Sequence, residues 1–178
     1  MSVIFTSDLH IGDANTARFR GYDTVEDHDA AIRKEWLHRV SKRDKIFVLG
    51  DVGSNKKLAS LDFYRDLPGY KHLVMGNHDQ CAIQEYQKVF DKISGFLKYE
   101  NFWLSHAPIH PSELRCRANI HGHLHDGRVV TQHNSETADP RYFNVNWDMA
   151  LGFVDFEHIV TARNYHQEIL GKHYLGVD

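Results

Sequence analysis

Apolar positions along the chain fall into two rhythms, short runs and helical stripes. Val3–Thr6 is a β-prone run that stops at Ser7-Asp8-Leu9-His10-Ile11-Gly12-Asp13, the pattern of a strand feeding a polar loop. Residues 13–23 show no clear period. From Val25 onward, Ala30, Ala31, Trp36, Leu37 and Val40 recur at helical spacing. Thr24 precedes them as a candidate N-cap with Asp27 three positions on, so a helix is predicted near 25–42. Lys45 to Leu49 reads as a second buried strand, ending in Gly50-Asp51-Val52-Gly53. A helix near 55–66 follows, with Leu58, Leu61, Phe63 and Tyr64 as its apolar face, broken by Pro68-Gly69. His72 to Met75 is a third strand, ending in Gly76-Asn77-His78-Asp79, and a helix near 82–91 comes next.

The second half is richer in strands. Phe96 to Tyr99 and Phe102 to Ser105 form a predicted hairpin turning at Glu100-Asn101, and the second strand ends in His106-Ala107-Pro108. Ala118 to Ile120 is a strand ending in His121-Gly122-His123-Leu124-His125. Val129 to Thr131 and Tyr142 to Val145 are further strands, the polar stretch 132–141 is a predicted loop, and Asp155 to Leu170 is a final helix. Strands alternating with helices indicate an α/β fold with a largely parallel sheet, mixed in its second half. With no repeat, linker or low-complexity segment, residues 1–178 read as one domain.

Composition narrows the function. The chain has 178 residues, 42% hydrophobic and 25% charged, with a formal net charge of −3. Those are globular values. A strongly basic footprint is absent, so long nucleic acid is not a favoured partner. Cys81 and Cys116 form neither a disulfide framework nor a Cys-x-x-Cys pair, which points to a reducing, cytoplasmic compartment. Neither a secretory leader nor a membrane-length apolar run is expected. The unusual quantity is histidine, 14 residues.

Position explains much of that histidine. Five times an apolar strand ends and metal-capable residues follow: Asp8-Leu9-His10, Gly50-Asp51, Gly76-Asn77-His78-Asp79, Ser105-His106 and Gly122-His123-Leu124-His125. Ligands bind at the carboxyl ends of strands in α/β sheets, so these endings converge Asp8, His10, Asp51, Asn77, His106, His123 and His125 on one edge. Seven O and N donors exceed one tetrahedral zinc and suit two ions with a bridging carboxylate. Such a pair clamps the attacking and leaving oxygens of phosphoryl displacement. In extended backbone, residues i and i+2 point the same way, which would let each D-x-H or H-x-H pair reach one site. The glycines before Asp51, Asn77 and His123 permit tight turns and close backbone approach.

The ordered series D-x-H, G-D, G-N-H-D, H and G-H-x-H resembles the calcineurin-like metallophosphoesterase family, in particular its small bacterial and phage members without added domains. The resemblance implies a four-layer α/β/β/α sandwich with two mixed β-sheets. It implies that Asp8, His10 and His125 hold one divalent ion, that Asn77, His106 and His123 hold a second, and that Asp51 bridges them. His78 would face the phosphate as acid and transition-state stabiliser, and Asp79 would orient His78. The implied activity is dimetal-dependent hydrolysis of small phosphoesters, nucleotide-derived substrates among them, with phosphodiesters favoured over phosphomonoesters. The donor set suits Mn, Fe, Ni, Co or Zn, and Mn is favoured. A non-catalytic scaffold of the same fold is the competing class; there the His of the G-N-H-D block tends to be replaced, whereas His78 is present here.

Some residues keep two readings. Arg18 and Arg20 follow the first block, either as a phosphate clamp or as a mobile basic loop. His121 is either a substrate or second-sphere contact or a strand-end histidine bonded to backbone. His110 reads as loop surface, and His28, His38, His72, His133, His158, His166 and His173 read mostly as solvated. Trp147 either packs or lines the cleft.

Overall fold

The computed structural model describes residues 1–54, 58–115, 117–131 and 134–174; in the last helix, side chains are described through His166 and at Glu168. Cys116 and His133, and the side chain of His173, therefore lie outside the described residues.

Two mixed sheets carry the fold. The first contains β1 (Val3–Thr6), β2 (Lys45–Val48), β3 (Tyr70–Val74), β4 (Lys92–Ser94) and β11 (Val154–Asp155), in the order β11-β1-β2-β3-β4. Its strands are parallel except β11, which runs antiparallel to β1. The second contains β5 (Leu97–Tyr99), β6 (Phe102–Leu104), β7 (Ala118–His121) and β10 (Tyr142–Asn144), in the order β10-β7-β6-β5, with only β5 antiparallel. Strands β8 (Val130–Thr131) and β9 (Asn134–Ala138) form a separate exposed ribbon.

Period-two alternation sorts side chains into layers. Ile4, Ile46, Val48 and Leu73 face a helix layer, where α2 (Val25–Arg39) contributes Ile32 and Trp36 and its C-cap residue Val40 joins them. Phe5, Phe47, Leu49 and Val74 face the second sheet and meet Phe102, Leu104, Ala118, Ile120 and Val145. Stacked Phe5 and Phe47 (5.2 Å between centroids) sit in that inter-sheet layer. The last helix, α6 (Phe156–Tyr174), adds Phe156, Ile159 and Val160 to it. The outer face of the second sheet is covered by residues 107–114, which include a 3₁₀ turn at Pro111–Glu113. Asn119 Oδ1 accepts from Ile109 N, Tyr142 Oη donates to Ile109 O, and Trp103 Nε1 donates to Glu113 O.

Helix α2 starts where the sequence places it: Thr24 Oγ1 accepts from Asp27 N at 3.1 Å. Of the helix predicted at 55–66, residues 55–57 lie outside the described residues and the remainder holds α3 (Ala59–Asp62); the helix predicted at 82–91 shrinks to α4 (Ile83–Tyr86). Neither has a side-chain N-cap. After each, the chain tightens into i→i+3 bonds such as Tyr64 N to Leu61 O and Val89 N to Tyr86 O. Buried Tyr64 and Tyr86 anchor these turns without a full helix. Conversely, α1 (Ala14–Phe19) arises where no period is visible, because Ala17 alone among its residues is buried and a cap defines the helix instead. The predicted loop at 132–141 contains β9, whose side chains are all exposed; a ribbon solvated on both faces leaves no apolar alternation to read. Short α5 (Trp147–Ala150), β4 and β11 likewise lacked a periodic signal.

His72, expected to be solvated, is buried in the inter-sheet layer against Phe47, with Nε2 2.9 Å from Ser94 Oγ. Burial, reinforced by Lys92 and Lys45, holds its pKa down at about 4. Between pH 6.5 and about 4 the unfolded chain therefore takes up a proton that the native state refuses, so stability falls on acidification through that window. Urea titrations of metal-free protein at pH 7.5 and 5 should show a smaller acid loss for His72→Leu than for the parent. An equal loss would remove His72 from the explanation.

Candidate metal centre

The carboxyl ends of β1, β2 and β3 meet those of β6, β7 and β10 along one edge. A bridging contact between Ser7 and Asn146 spans the seam, and one between Ile11 and Gly53 joins the turns after β1 and β2. Two glycines allow the approach. A Cβ at Gly122 would strike Ser7 Oγ and the Asp8 carboxylate. Gly50, at φ +87°, leaves room for His106 Nδ1 and the backbone of Gly76.

The donors arrive on contorted backbone. Asp8 (φ 57°), His10 (49°), Asp51 (52°), His123 (68°) and His125 (50°) are all left-handed. The D-x-H and H-x-H pairs thus do not converge by extended i/i+2 geometry, as the spacing suggested. They converge because both residues of each pair coil the chain. Such conformations cost on the order of 1–3 kcal/mol each and persist only where surroundings over-determine them. Here Asp8 N donates to Gly50 O, His10 N to Asp51 O, and His123 N to Asp8 Oδ2 (2.9 Å).

Two donor groups result. Asp8, His10 and His125 each place an atom within 4.8 Å of the others. Asn77 Oδ1 lies 2.8 Å from His106 Nε2 and 3.0 Å from His123 Nδ1, with those nitrogens 3.1 Å apart. Asp51 stands between, its Oδ2 3.8 Å from His10 Nε2 and 3.3 Å from His106 Nε2. Asp8 also groups with Asp51 and His106. Asp8 Oδ1 and His10 Nε2 are buried with no hydrogen-bond partner, an expensive arrangement in an apolar interior and the chemistry of atoms meant for a cation. The residues fit divalent ions.

Ring orientation is set from behind. His106 Nδ1 donates to Leu49 O (2.8 Å) and His125 Nδ1 donates to Asp148 Oδ2 (2.8 Å), leaving each Nε2 toward the site. Burial pushes the His106 imidazole down, but the hydrogen bond and charge of Asp51, with Asp8 and Leu49 O, outweigh it and hold the pKa at about 9. Burial dominates at His10 and lowers it despite Asp51 and Asp8. Asp51 is lowered: burial opposes this, but His106 and the His78 amide prevail.

Several side chains stand elsewhere than expected. Arg20 is not a free phosphate clamp. Its guanidinium is buried, paired with Asp148 (2.6 and 3.1 Å), and donates to Leu9 O and Asp8 O. Arg20 also donates to His28 Nε2 (2.9 Å), so His28 Nδ1 donates to Asp29, which in turn accepts from Gly12 N. His28 is therefore buried in a polar chain, not solvated. Arg18 is exposed on α1. His121 is a buried strand-end histidine, with Nδ1 bonded to Gly122 O and its ring against Tyr142. Asp79 was expected to orient His78. Instead its carboxylate accepts from the amides of Asp51, Val52 and Gly76 (3.0, 3.0 and 2.7 Å), fastening the turn after β2 to the turn after β3. His78 is half-buried, its ring 5.5 Å from that of His10 and its amide donating to Asp51 Oδ1. Asp148 is the functional residue that sequence reasoning missed. Its signal was the Asn146-Trp147-Asp148 step after a strand, where Asn146 Oδ1 caps Asp148 N.

Residues 1–170 match the family model described as calcineurin-like phosphoesterase. The chain is 33% identical to the Gene 66 protein of Mycobacterium phage L5, covering 95% of this chain and 97% of that protein. It is 31% identical to the Gene 66 protein of Mycobacterium phage D29, covering 94% and 98%. Among solved structures, a protein of unknown function from Aquifex aeolicus, AQ665, superposes with a TM-score of 0.68 at 24% identity, over 90% of this chain and 98% of that one; at that identity the likeness speaks for the fold.

Two outcomes follow from the geometry. Loading an ion at pH 7.5 must expel the proton that Asp51 holds on His106, so calorimetry in buffers of different ionisation enthalpy should register proton release, with affinity rising toward pH 9. Asp148→Asn should weaken metal binding about 10- to 100-fold, read by competition with a chelator, because a single amide oxygen cannot accept from both Arg20 Nε and His125 Nδ1 as the two carboxylate oxygens do.

Proposed function

The chain belongs to the calcineurin-like phosphoesterase family, metal-dependent phosphoester hydrolases, and we propose that its own reaction is phosphodiester hydrolysis at a dinuclear centre. The observation that carries this reading is the Asp51 carboxylate, faced by His10 on one side and His106 on the other. In it, Asp8, His10 and His125 hold one ion, Asn77, His106 and His123 the second, and Asp51 both. Ions so held supply Lewis-acid activation of the phosphate and a nucleophile at neutral pH; we favour Mn among Mn, Fe, Ni, Co and Zn.

The chain supplies the rest. Asp79 keeps the two turns that carry Asp51, Asn77 and His78 in fixed register. His78, beside His10 and tethered through its amide to Asp51, stabilises charge on the phosphate and gives a proton to the departing oxygen. Exposure of Asn77 and His123 at the rim supports a diester, since both ester arms can extend away from the centre. Among the described residues no helix is long and apolar enough to cross a membrane. Cys81 is a free thiol, in keeping with a reducing, cytoplasmic setting.

Mn²⁺-loaded protein should hydrolyse bis(p-nitrophenyl) phosphate, and chelation should abolish turnover. His78→Ala should retain about two ions per chain yet lose roughly 10²- to 10⁴-fold in kcat, the range of a general acid. Inactivity with all five metals would overturn the enzyme reading. Loss of an ion in His78→Ala would overturn the role of His78.

A further inference from the structure

Helix α1 ends in an apolar group that the fold does not use. Phe19 is 73% exposed, and among the described residues it belongs to neither core cluster. Its mount is nevertheless rigid. At the start of α1, Asp13 accepts from Thr16 N and from Ser54 Oγ. Just past its end, Arg20 is locked by Asp148, His28 and two backbone carbonyls. An aromatic ring held out to solvent between two fixed points calls for a partner.

The space beside it has a definite chemistry. Asn15, Thr16 and Phe19, at i, i+1 and i+4 of one helix, line an open cleft of about 400 Å³ whose further wall is His125. The lining contains no Lys, Arg, Asp or Glu, and Arg18 on the same helix does not join it. A phosphate would find no cation in this cleft. A flat aromatic ring would find an aromatic face in Phe19 and, at its edge, the amide of Asn15 and the hydroxyl of Thr16. Because His125 is also one of the donors grouped with Asp8 and His10, a substrate whose phosphorus lies at the centre can reach this cleft with its next substituent.

We infer that Phe19, Asn15 and Thr16 form a nucleobase subsite, and that the substrate is a nucleoside-containing phosphodiester. This inference rests on the phosphodiesterase reading above. Base–aromatic stacking is tolerant of base identity, so the subsite selects nucleosides as a class, with Phe19 as a specificity-determining residue.

Two diesters that share a p-nitrophenolate leaving group isolate the subsite: thymidine 5′-(p-nitrophenyl) phosphate and ethyl p-nitrophenyl phosphate. The parent protein should prefer the thymidine ester in kcat/KM. Phe19→Ala should reduce that preference about tenfold, the size of a lost base stack, chiefly through KM, and Phe19→Tyr should restore it. An unchanged preference in Phe19→Ala would overturn the subsite. If the parent cleaves neither diester, the phosphodiesterase reading falls on its own, and the subsite is judged by binding. In the metal-loaded Phe19→Trp variant, thymidine should then quench the added emission saturably while deoxyribose does not. Equal responses to the two probes, or none, would overturn the assignment.

Discussion

Everything at the working edge depends on how closely two sheets can approach. The turn after β7 lies against the turn after β1 so tightly that Gly122 can carry only a hydrogen there; any larger substituent meets Ser7 and Asp8. Gly50 imposes the same condition where β2, β3 and His106 converge. Side chains of Asp, Asn and His are short. They can surround a common point only if their backbones are already almost touching, and the glycines make that contact possible.

Close approach then demands unusual backbone. Five donors are left-handed; backbone hydrogen bonds between the turns after β1 and β2 hold Asp8 and His10, the Asp8 carboxylate holds His123 from across the seam, Asp79 ties adjacent turns, and Arg20 gathers the carbonyls of Asp8 and Leu9. Polar groups that look like substrate contacts in one dimension are spent on this scaffold in three. A buried cation with five donors already engaged is a structural part, and that is why Arg20 lies behind the site and not in front of it.

The sequence made the donors legible because strand ends are marked by a change from apolar to polar residues, reinforced by a glycine before Asp51, Asn77 and His123, and all seven donors follow such a change. The inter-sheet layer was legible for a similar reason: Phe47 and Leu49, or Phe102 and Leu104, alternate on β-prone runs. What stayed hidden has physical causes. Helix α1 buries one alanine, so it has no periodic stripe; β9 buries nothing. His28 and His72 look alike in sequence to the exposed His38, since burial of a single histidine depends on elements far along the chain. Asp148 supports His125 from 23 positions away, and the Asn146 cap that marks it locally does not say which distant histidine it faces. The extended i/i+2 argument reached the right residues through a backbone conformation that the chain does not adopt.

The link between Arg20 and Asp148 spans 128 positions. With it, the centre draws on segments from nearly the beginning of the chain to its last strands. Such long-range closure makes for slow folding, and it means that no fragment shorter than residues 8–125 contains all seven donors, and none shorter than 8–148 contains Asp148 behind His125 as well. A nascent chain emerging from synthesis offers isolated histidines and carboxylates but not a cage. The complete cage, with the carboxylate that supports His125, therefore exists only once most of the 178 residues have been made.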